Sequence, residues 1–278
     1  MNKSINQLIQ LQELIEARIQ QETLSGKDRL EELNKSIDTM VSALPIDLAT
    51  QFNRLIKRSH LAVVALNNGV CSGCGMKVPV SLTHEVHAAK NVYSCTNCSR
   101  FLYWPEADAP RRTPGVTLAA ATATGISRFS HPDLMIPALK ATTRDDAISE
   151  ICKKIADCGF VDNGRALAEA ALRRESIMST AVDHGIAFPH ARGVEGGGLT
   201  LAVGLSAKGI RFSPESRALS RIIFFVSIPT AASAFYLKLL SGLTKTFEKT
   251  AHREKLQAAE TPEELWKALK STTRAAIM

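Results

Sequence analysis

The spacing of apolar residues divides the chain into stretches of different period. Near the start, Ile5, Leu8, Leu11, Ile15 and Ile19 recur every three or four residues, and Leu30, Leu33, Ile37, Met40 and Leu44 repeat the pattern. This is the stripe of an amphipathic helix with a heptad-like seam. Ser25 and Gly26 between the two runs supply a turn, and Asp28 can open the second helix. Pro45 ends that helix, and PIDLATQFNRLIKR after it reads as a further short one. The pattern predicts a helical hairpin over residues 1–67. Its seam either closes within the chain or extends into a coiled-coil dimer or a partner-binding surface.

From Pro105 to Phe129 proline, alanine and threonine dominate and no period is sustained, which predicts a flexible linker over 105–130. Periodicity then returns. In TTRDDAISEICKKIADCGF, Ile148, Ile151, Cys152 and Ile155 share one helical face and Gly159 stops the run. GRALAEAALRRE continues as a second helix. LTLAVGLS and RIIFFVSI are β-rich, the latter apolar enough for a central strand. SAFYLKLLSGLTKTF and TPEELWKALKS are helical, with Thr261 as the cap of the last. The expectation is an α/β domain over 131–278, with Cys152 and Cys158 as small residues in its core.

At 278 residues and 45% hydrophobic content, the chain can bury more than one core. It has no apolar run of about 18 residues, and its N-terminus lacks the uninterrupted apolar centre of a secretory signal. The expected location is the cytoplasm, without membrane insertion. The net charge of +7 is spread over short basic pairs with acidic neighbours. It reads as a solvated surface, so nucleic acid is not favoured as a partner.

Four of the six cysteines form two CxxC pairs, Cys71 with Cys74 and Cys95 with Cys98. About twenty residues separate the pairs, the spacing of a four-cysteine zinc site. Each CxxC turn presents two thiolates, and two turns close a tetrahedron around one Zn2+. No coordination position is left for water, so the zinc is structural. Gly73 and Gly75 relieve the first turn, and four thiolates leave His84 and His87 no vacancy. A zinc ribbon is expected over 68–104.

VVALNNGVCSGCGMKVPV followed by YSCTNCSRFLYW resembles the zinc-ribbon family in which a helical coiled coil, usually much longer, precedes a four-cysteine ribbon. That resemblance implies an adaptor or interaction module with an unknown protein partner, held through the ribbon or the helical hairpin.

LRRESIMSTAVDHGIAFPHAR resembles the enzyme IIA domains of the bacterial phosphotransferase system, mannitol–fructose class, including its nitrogen-related regulatory members. The shared pattern is an arginine–glutamate pair, a serine–threonine pair and a glycine-led apolar turn ending in proline–histidine. Here these are Arg174–Glu175, Ser179–Thr180 and Gly185 to His190. The likeness extends from Asp133 to Ser271. It implies a mixed sheet flanked by helices, and His190 phosphorylated by a histidine phosphocarrier protein. Pro189 is expected to restrict the turn and project the His190 ring outward. Arg174 and Arg192 are candidates to steady phosphoryl oxygens, and Ser179 and Thr180 to donate hydroxyl hydrogen bonds to them. His184 lies off the matching position. Many members carry a second histidine where this chain has Phe235 and Tyr236. Tyr236 can donate a hydrogen bond to phosphate but carries no positive charge at neutral pH. The chain therefore reads as a regulatory phosphoryl acceptor with a zinc-ribbon interaction module. The alternatives are a sugar-transport IIA component that feeds a separate IIB, and a zinc-ribbon nucleic-acid or protein adaptor whose IIA-like domain only binds.

Overall fold

The computed structural model describes residues 3–24, 28–59, 61–105, 124–192, 194, 199–213, 218–229 and 233–277. It divides into two units, Met1–Ala107 and Asp108–Met278. The expected turn at Ser25 and Gly26 lies outside the described residues, as do residues 106–123 of the expected linker and the side chain of Phe235.

The first unit begins with helices α1 (Lys3–Leu24), α2 (Asp28–Ser42) and α3 (Ile46–Ser59). Strands β1 (Val63–Asn67) and β2 (Val70–Cys71) follow, then α4 (Val80–Ala88), β3 (Tyr93–Ser94) and β4 (Phe101–Tyr103). The four strands form one sheet in the order β2–β1–β4–β3. β1 runs antiparallel to β2 and parallel to β4.

The apolar stripe of α1 closes within the chain. Ile5, Leu8, Leu11 and Ile15 pack with Ile37, Leu44, Phe52 and Leu55, and also with Val63 and Phe101 of the sheet. The opposite face of β1 carries Val64 and Leu66, which pack with Val86, Leu102 and the cysteines. Alternation along one strand thus serves two cores. The border expected at residue 67 falls at the end of a strand that helices and ribbon share.

Gln12 strengthens the junction. Its Oε1 accepts the backbone N–H groups of Ala62 and Val63 at 2.7 and 2.8 Å, and its Nε2 donates to the Val63 carbonyl at 3.2 Å. One side chain satisfies three backbone groups at the entry to the sheet.

In the second unit the chain passes through β5 (Met135–Ile136), α5 (Arg144–Asp157) and α6 (Gly164–Ile177). Three short strands come next, β6 (Ala181–Val182), β7 (Ile186–Ala187) and β8 (His190–Arg192). The long strands β9 (Thr200–Ile210) and β10 (Ser220–Ile228) precede α7 (Ser233–Phe247), α8 (Thr250–Gln257) and α9 (Pro262–Thr273). The sheet is mixed, in the order β5–β9–β10–β7–β6 with β8 also on β10. β9 is antiparallel to β10, whereas β7 and β8 are parallel to it. As its apolar run predicts, β10 is central, and Ile222 to Ile228 are all buried. Thr261 caps the last helix as expected, and α5 has a cap of the same kind. Thr143 accepts from the N–H of Asp146, and Thr261 and Glu264 form a reciprocal capping box.

The expected linker reaches too far. Ile126 and Ser130 are buried. The Ser130 hydroxyl donates to the Leu201 carbonyl and the Leu201 N–H to that of Phe129, each at 2.6 Å. Phe129 and Ser130 thus supply backbone and side-chain partners to Leu201 near the start of β9, and Ile126 is buried, so the chain is packed from there onward. Cys152 is fully buried, while Cys158 is only partly so. Among the described residues no helix is long and apolar enough to cross a membrane.

Candidate functional site

The two CxxC turns are built alike. The Gly75 N–H donates to the Cys71 carbonyl at 2.8 Å, and the Ser99 N–H to that of Cys95 at 2.9 Å. Both turns end in a left-handed residue, Gly75 at φ +73° and Ser99 at φ +59°. Glycine relieves strain at the first, and serine tolerates the same backbone at the second. Gly73 has a different purpose from the one expected. A Cβ there would lie 2.9 Å from Cδ of Arg100 and 3.0 Å from Cγ1 of Val64. The position needs closeness rather than backbone freedom. Arg100 uses that space to reach across the unit. Its Nε donates to the Leu61 carbonyl and its Nη2 to the Ser59 hydroxyl, both at 3.0 Å.

The four Sγ atoms lie within 4.8 Å of one another, with Cys71–Cys98 and Cys74–Cys95 both at 3.8 Å. Zinc–sulfur bonds of about 2.3 Å in a tetrahedron place sulfurs about 3.8 Å apart, so the donor set fits one zinc ion. Burial pushes the Cys71 thiol up in the absence of a metal charge. His84 and His87 are exposed on α4, away from the cluster.

His190 lies at the start of β8, opposite Val226 of β10. Its ring is 1% exposed, which corrects the expectation that Pro189 projects it outward from a turn. Ile186 and Ala187 form β7, paired with β10 and β6, so the apolar run after Gly185 begins as strand rather than turn. Pro189 marks the break between β7 and β8, and its carbonyl accepts the N–H of Val226 at 3.1 Å.

The Nδ1 atom of His190 is 3.1 Å from the Phe188 carbonyl oxygen and 3.3 Å from the Tyr236 hydroxyl. A carbonyl only accepts, so Nδ1 carries the proton and the lone pair of the neutral ring lies on Nε2. Burial holds the imidazole well below its ordinary pKa, and the charges of Arg174 and Arg192 lower it further, against the opposing bond to Phe188. Tyr236 of α7 is fully buried, its ring 5.1 Å from that of His190, and the Arg192 guanidinium lies 5.4 Å from the centre of the same phenol ring.

Arg174 and Glu175 occupy the last turn of α6, where Arg174 Nη1 donates to the Met178 carbonyl at 3.0 Å. The Thr180 hydroxyl is committed to Glu175 Oε2 at 2.7 Å, and the Thr180 N–H to Oε1 at 2.8 Å. Ser179 Oγ accepts the N–H of Ala181 at 3.3 Å. His184 is exposed, at φ +67°. The structure therefore gathers His190, Tyr236, Arg174 and Arg192 around one ring. It turns Thr180 toward a buried carboxylate and leaves His184 on the surface.

Residues 128–272 match the model of the family described as "Phosphoenolpyruvate-dependent sugar phosphotransferase system, EIIA 2". The chain belongs to this family. Residues 70–102 match the C4-type zinc ribbon domain, which makes Cys71, Cys74, Cys95 and Cys98 the ligands of a structural zinc. The EIIA portion is 31% identical over 137 residues to the "PTS system fructose-specific EIIA component" of Haloferax volcanii, covering 49% of this chain and 89% of that protein. It is 28% identical over 147 residues to the "Nitrogen regulatory protein" of Bradyrhizobium diazoefficiens, covering 52% of this chain and 94% of the other. Among solved structures, the nitrogen regulatory protein IIA-Ntr of Neisseria meningitidis superposes with a TM-score of 0.46 at 20% identity. That match covers 51% of this chain and 96% of the other. The EIIA domain and the ribbon are thus joined in one chain.

Proposed function

We propose that the EIIA domain accepts a phosphoryl group on Nε2 of His190 from a histidine phosphocarrier protein, and that the first unit conveys this state to a protein partner. The observation that carries the reading is the 3.1 Å distance from Nδ1 to the Phe188 carbonyl oxygen, an acceptor that favours the proton on Nδ1. A neutral ring with its lone pair on Nε2 is the form that attacks phosphorus. In the step, the Nε2 lone pair forms the new P–N bond as the carrier's P–N bond breaks, and the departing electron pair returns to the carrier's imidazole. The Nδ1 proton stays in place, so the His190 ring becomes cationic and the bound phosphoryl oxygens balance it. Arg174 and Arg192, whose charges already act on the ring, offset the rest. Tyr236 contacts the Nδ1 side and steadies the ring rather than the phosphoryl group. Ser179 is the remaining hydroxyl of the pair for the phosphoryl oxygens.

Two features favour a regulatory acceptor over a sugar-transport component. The ring beside His190 is an uncharged phenol, and the domain shares its chain with a zinc ribbon.

The test is incubation of the full chain with enzyme I, the phosphocarrier and labelled phosphoenolpyruvate. One acid-labile, base-stable phosphate per chain is expected, lost in His190→Ala and kept in His184→Ala. An unlabelled wild type in the presence of competent donors leaves the domain as a passive binding module, and label that survives His190→Ala assigns a different nucleophile.

A further inference from the structure

An unbroken line of hydrogen bonds runs from a buried carboxylate to the ring of His190. Glu175 accepts the hydroxyl and the N–H of Thr180 at 2.7 and 2.8 Å. The Thr180 carbonyl accepts the N–H of Phe188 at 3.1 Å. The Phe188 carbonyl accepts Nδ1–H of His190, also at 3.1 Å. All four residues are buried, so water cannot substitute at any link.

Glu175 is an expensive residue to place there. Burial raises its pKa, and two hydrogen bonds from Thr180 with the charges of Arg174 and Arg144 only partly compensate. An apolar side chain would fill the same space without that penalty, which makes a buried charge weak evidence for stability. What a carboxylate adds is direction. Its two oxygens take both donors of one residue and thereby fix the orientation of the Thr180 backbone. The Thr180 carbonyl in turn holds Phe188 at its N–H. The Phe188 ring stacks on Phe224 at 5.4 Å with planes 16° apart, and Pro189 restricts the peptide that follows. The Phe188 carbonyl is left with one direction to point.

We propose that Glu175 is a positioning residue for phosphoryl transfer. Through Thr180 and Phe188 it holds the carbonyl that keeps the proton on Nδ1 and the nucleophilic lone pair on Nε2. This rests on the reading of His190 as the phosphoryl acceptor. The tautomer matters because an unconstrained histidine side chain favours a proton on Nε2, the form in which the attacking atom is blocked. The carbonyl selects the other tautomer, and Glu175 aims the carbonyl.

The experiment combines two readouts on the full-length, zinc-loaded protein. Long-range 1H–15N correlation identifies the protonated ring nitrogen of His190, and steady-state labelling gives kcat and KM for the phosphocarrier. Glu175→Ala removes both acceptors of Thr180 and is expected to mix the tautomers and lower kcat about tenfold with KM little changed, the size of effect that weakening the one bond from Nδ1 to Phe188 would give. Glu175→Gln, which keeps an acceptor for the Thr180 N–H, should restore most of both. If Glu175→Ala does not fold, Thr180→Val, which removes only the hydroxyl, should give a smaller shift in the same direction. A folded Glu175→Ala or Thr180→Val protein with a lowered Tm but an unchanged tautomer and kcat overturns the proposal and leaves Glu175 as a structural cap. Failure of the wild type to accept phosphate is a separate result. It removes the reading of His190 as the acceptor, while the tautomer measurement still decides whether Glu175 sets the ring.

Discussion

Nδ1 of His190 lies 3.1 Å from the carbonyl oxygen of Phe188, two residues earlier in the same chain. That bond fixes which nitrogen is protonated, and the surrounding burial and arginines fix how many protons the ring carries. With its folded pKa held well below the ordinary value of about 6.5, the ring should not titrate between pH 8 and pH 6. Following its Cε1–H resonance through that range checks this, and a midpoint at or above 6.5 would refute it. The sign for stability follows. Below about pH 6.5 the unfolded chain binds a proton that the native ring refuses, so this residue makes stability fall as pH falls, by at most about 1.4 kcal/mol per pH unit. Above that pH it contributes no slope. The difference between the pH profiles of wild type and His190→Gln isolates the effect.

Tyr236→Phe should slow phosphorylation only modestly, because the phenol is a second and longer partner of an Nδ1 proton that Phe188 already holds. A loss of about 0.5–1.5 kcal/mol, or two- to tenfold in rate, is expected. Tyr236→Ala should do more damage, since it removes a fully buried ring on which Arg192 rests. Equal effects from the two variants would mean that the hydroxyl, and not the ring, is what matters.

Removing the metal should unfold the first unit and spare the second. Cys95→Ser removes one of four ligands from a closed site and should have the same effect as a chelator. The two tryptophans, Trp104 and Trp266, lie one in each unit and report them separately by fluorescence. Loss of the Trp266 signal together with that of Trp104 contradicts the prediction.

Gly73→Ala should destabilise the ribbon by about 1–3 kcal/mol, because the added methyl meets Arg100 and Val64 at 2.9 and 3.0 Å. Gly75→Ala has open space and pays only for its backbone angle. Zinc affinity and thermal unfolding of the two variants, read at Trp104, should rank Gly73→Ala as the worse. The reverse order would show that turn strain outweighs the packing of Arg100.

The sequence carries these features unevenly. The metal ligands are legible because CxxC spacing is local chemistry, and β10 is legible because an unbroken apolar run has few other uses. The caps at Thr143 and Thr261 are equally local. The strand status of Ile186–Ala187 is harder to read, since Gly185 and Pro189 frame a short apolar run that resembles a turn until β10 is alongside it. Nothing in the local text connects Glu175 to His190, or Gln12 to Val63. Both depend on partners brought together by the fold, and neither leaves a periodic trace. Thr180 shows the opposite failure. Its place beside the histidine suggests a ligand for phosphate, yet its hydroxyl faces inward to Glu175 because a buried carboxylate is the stronger acceptor.

The shared strand β1 has a consequence for anyone who would transplant this ribbon. A fragment cut to residues 70–102 would keep all four cysteines but lose the central strand on which β2 and β4 both depend. It would also lose Ser59 and Leu61, the anchors of Arg100. A fragment that begins at Val63 would keep the strand but leave Val63 and Phe101 without the helices that cover them. The smallest portable module is therefore the whole of residues 3–105, whose helices travel with the metal site because both pack on the two faces of one strand.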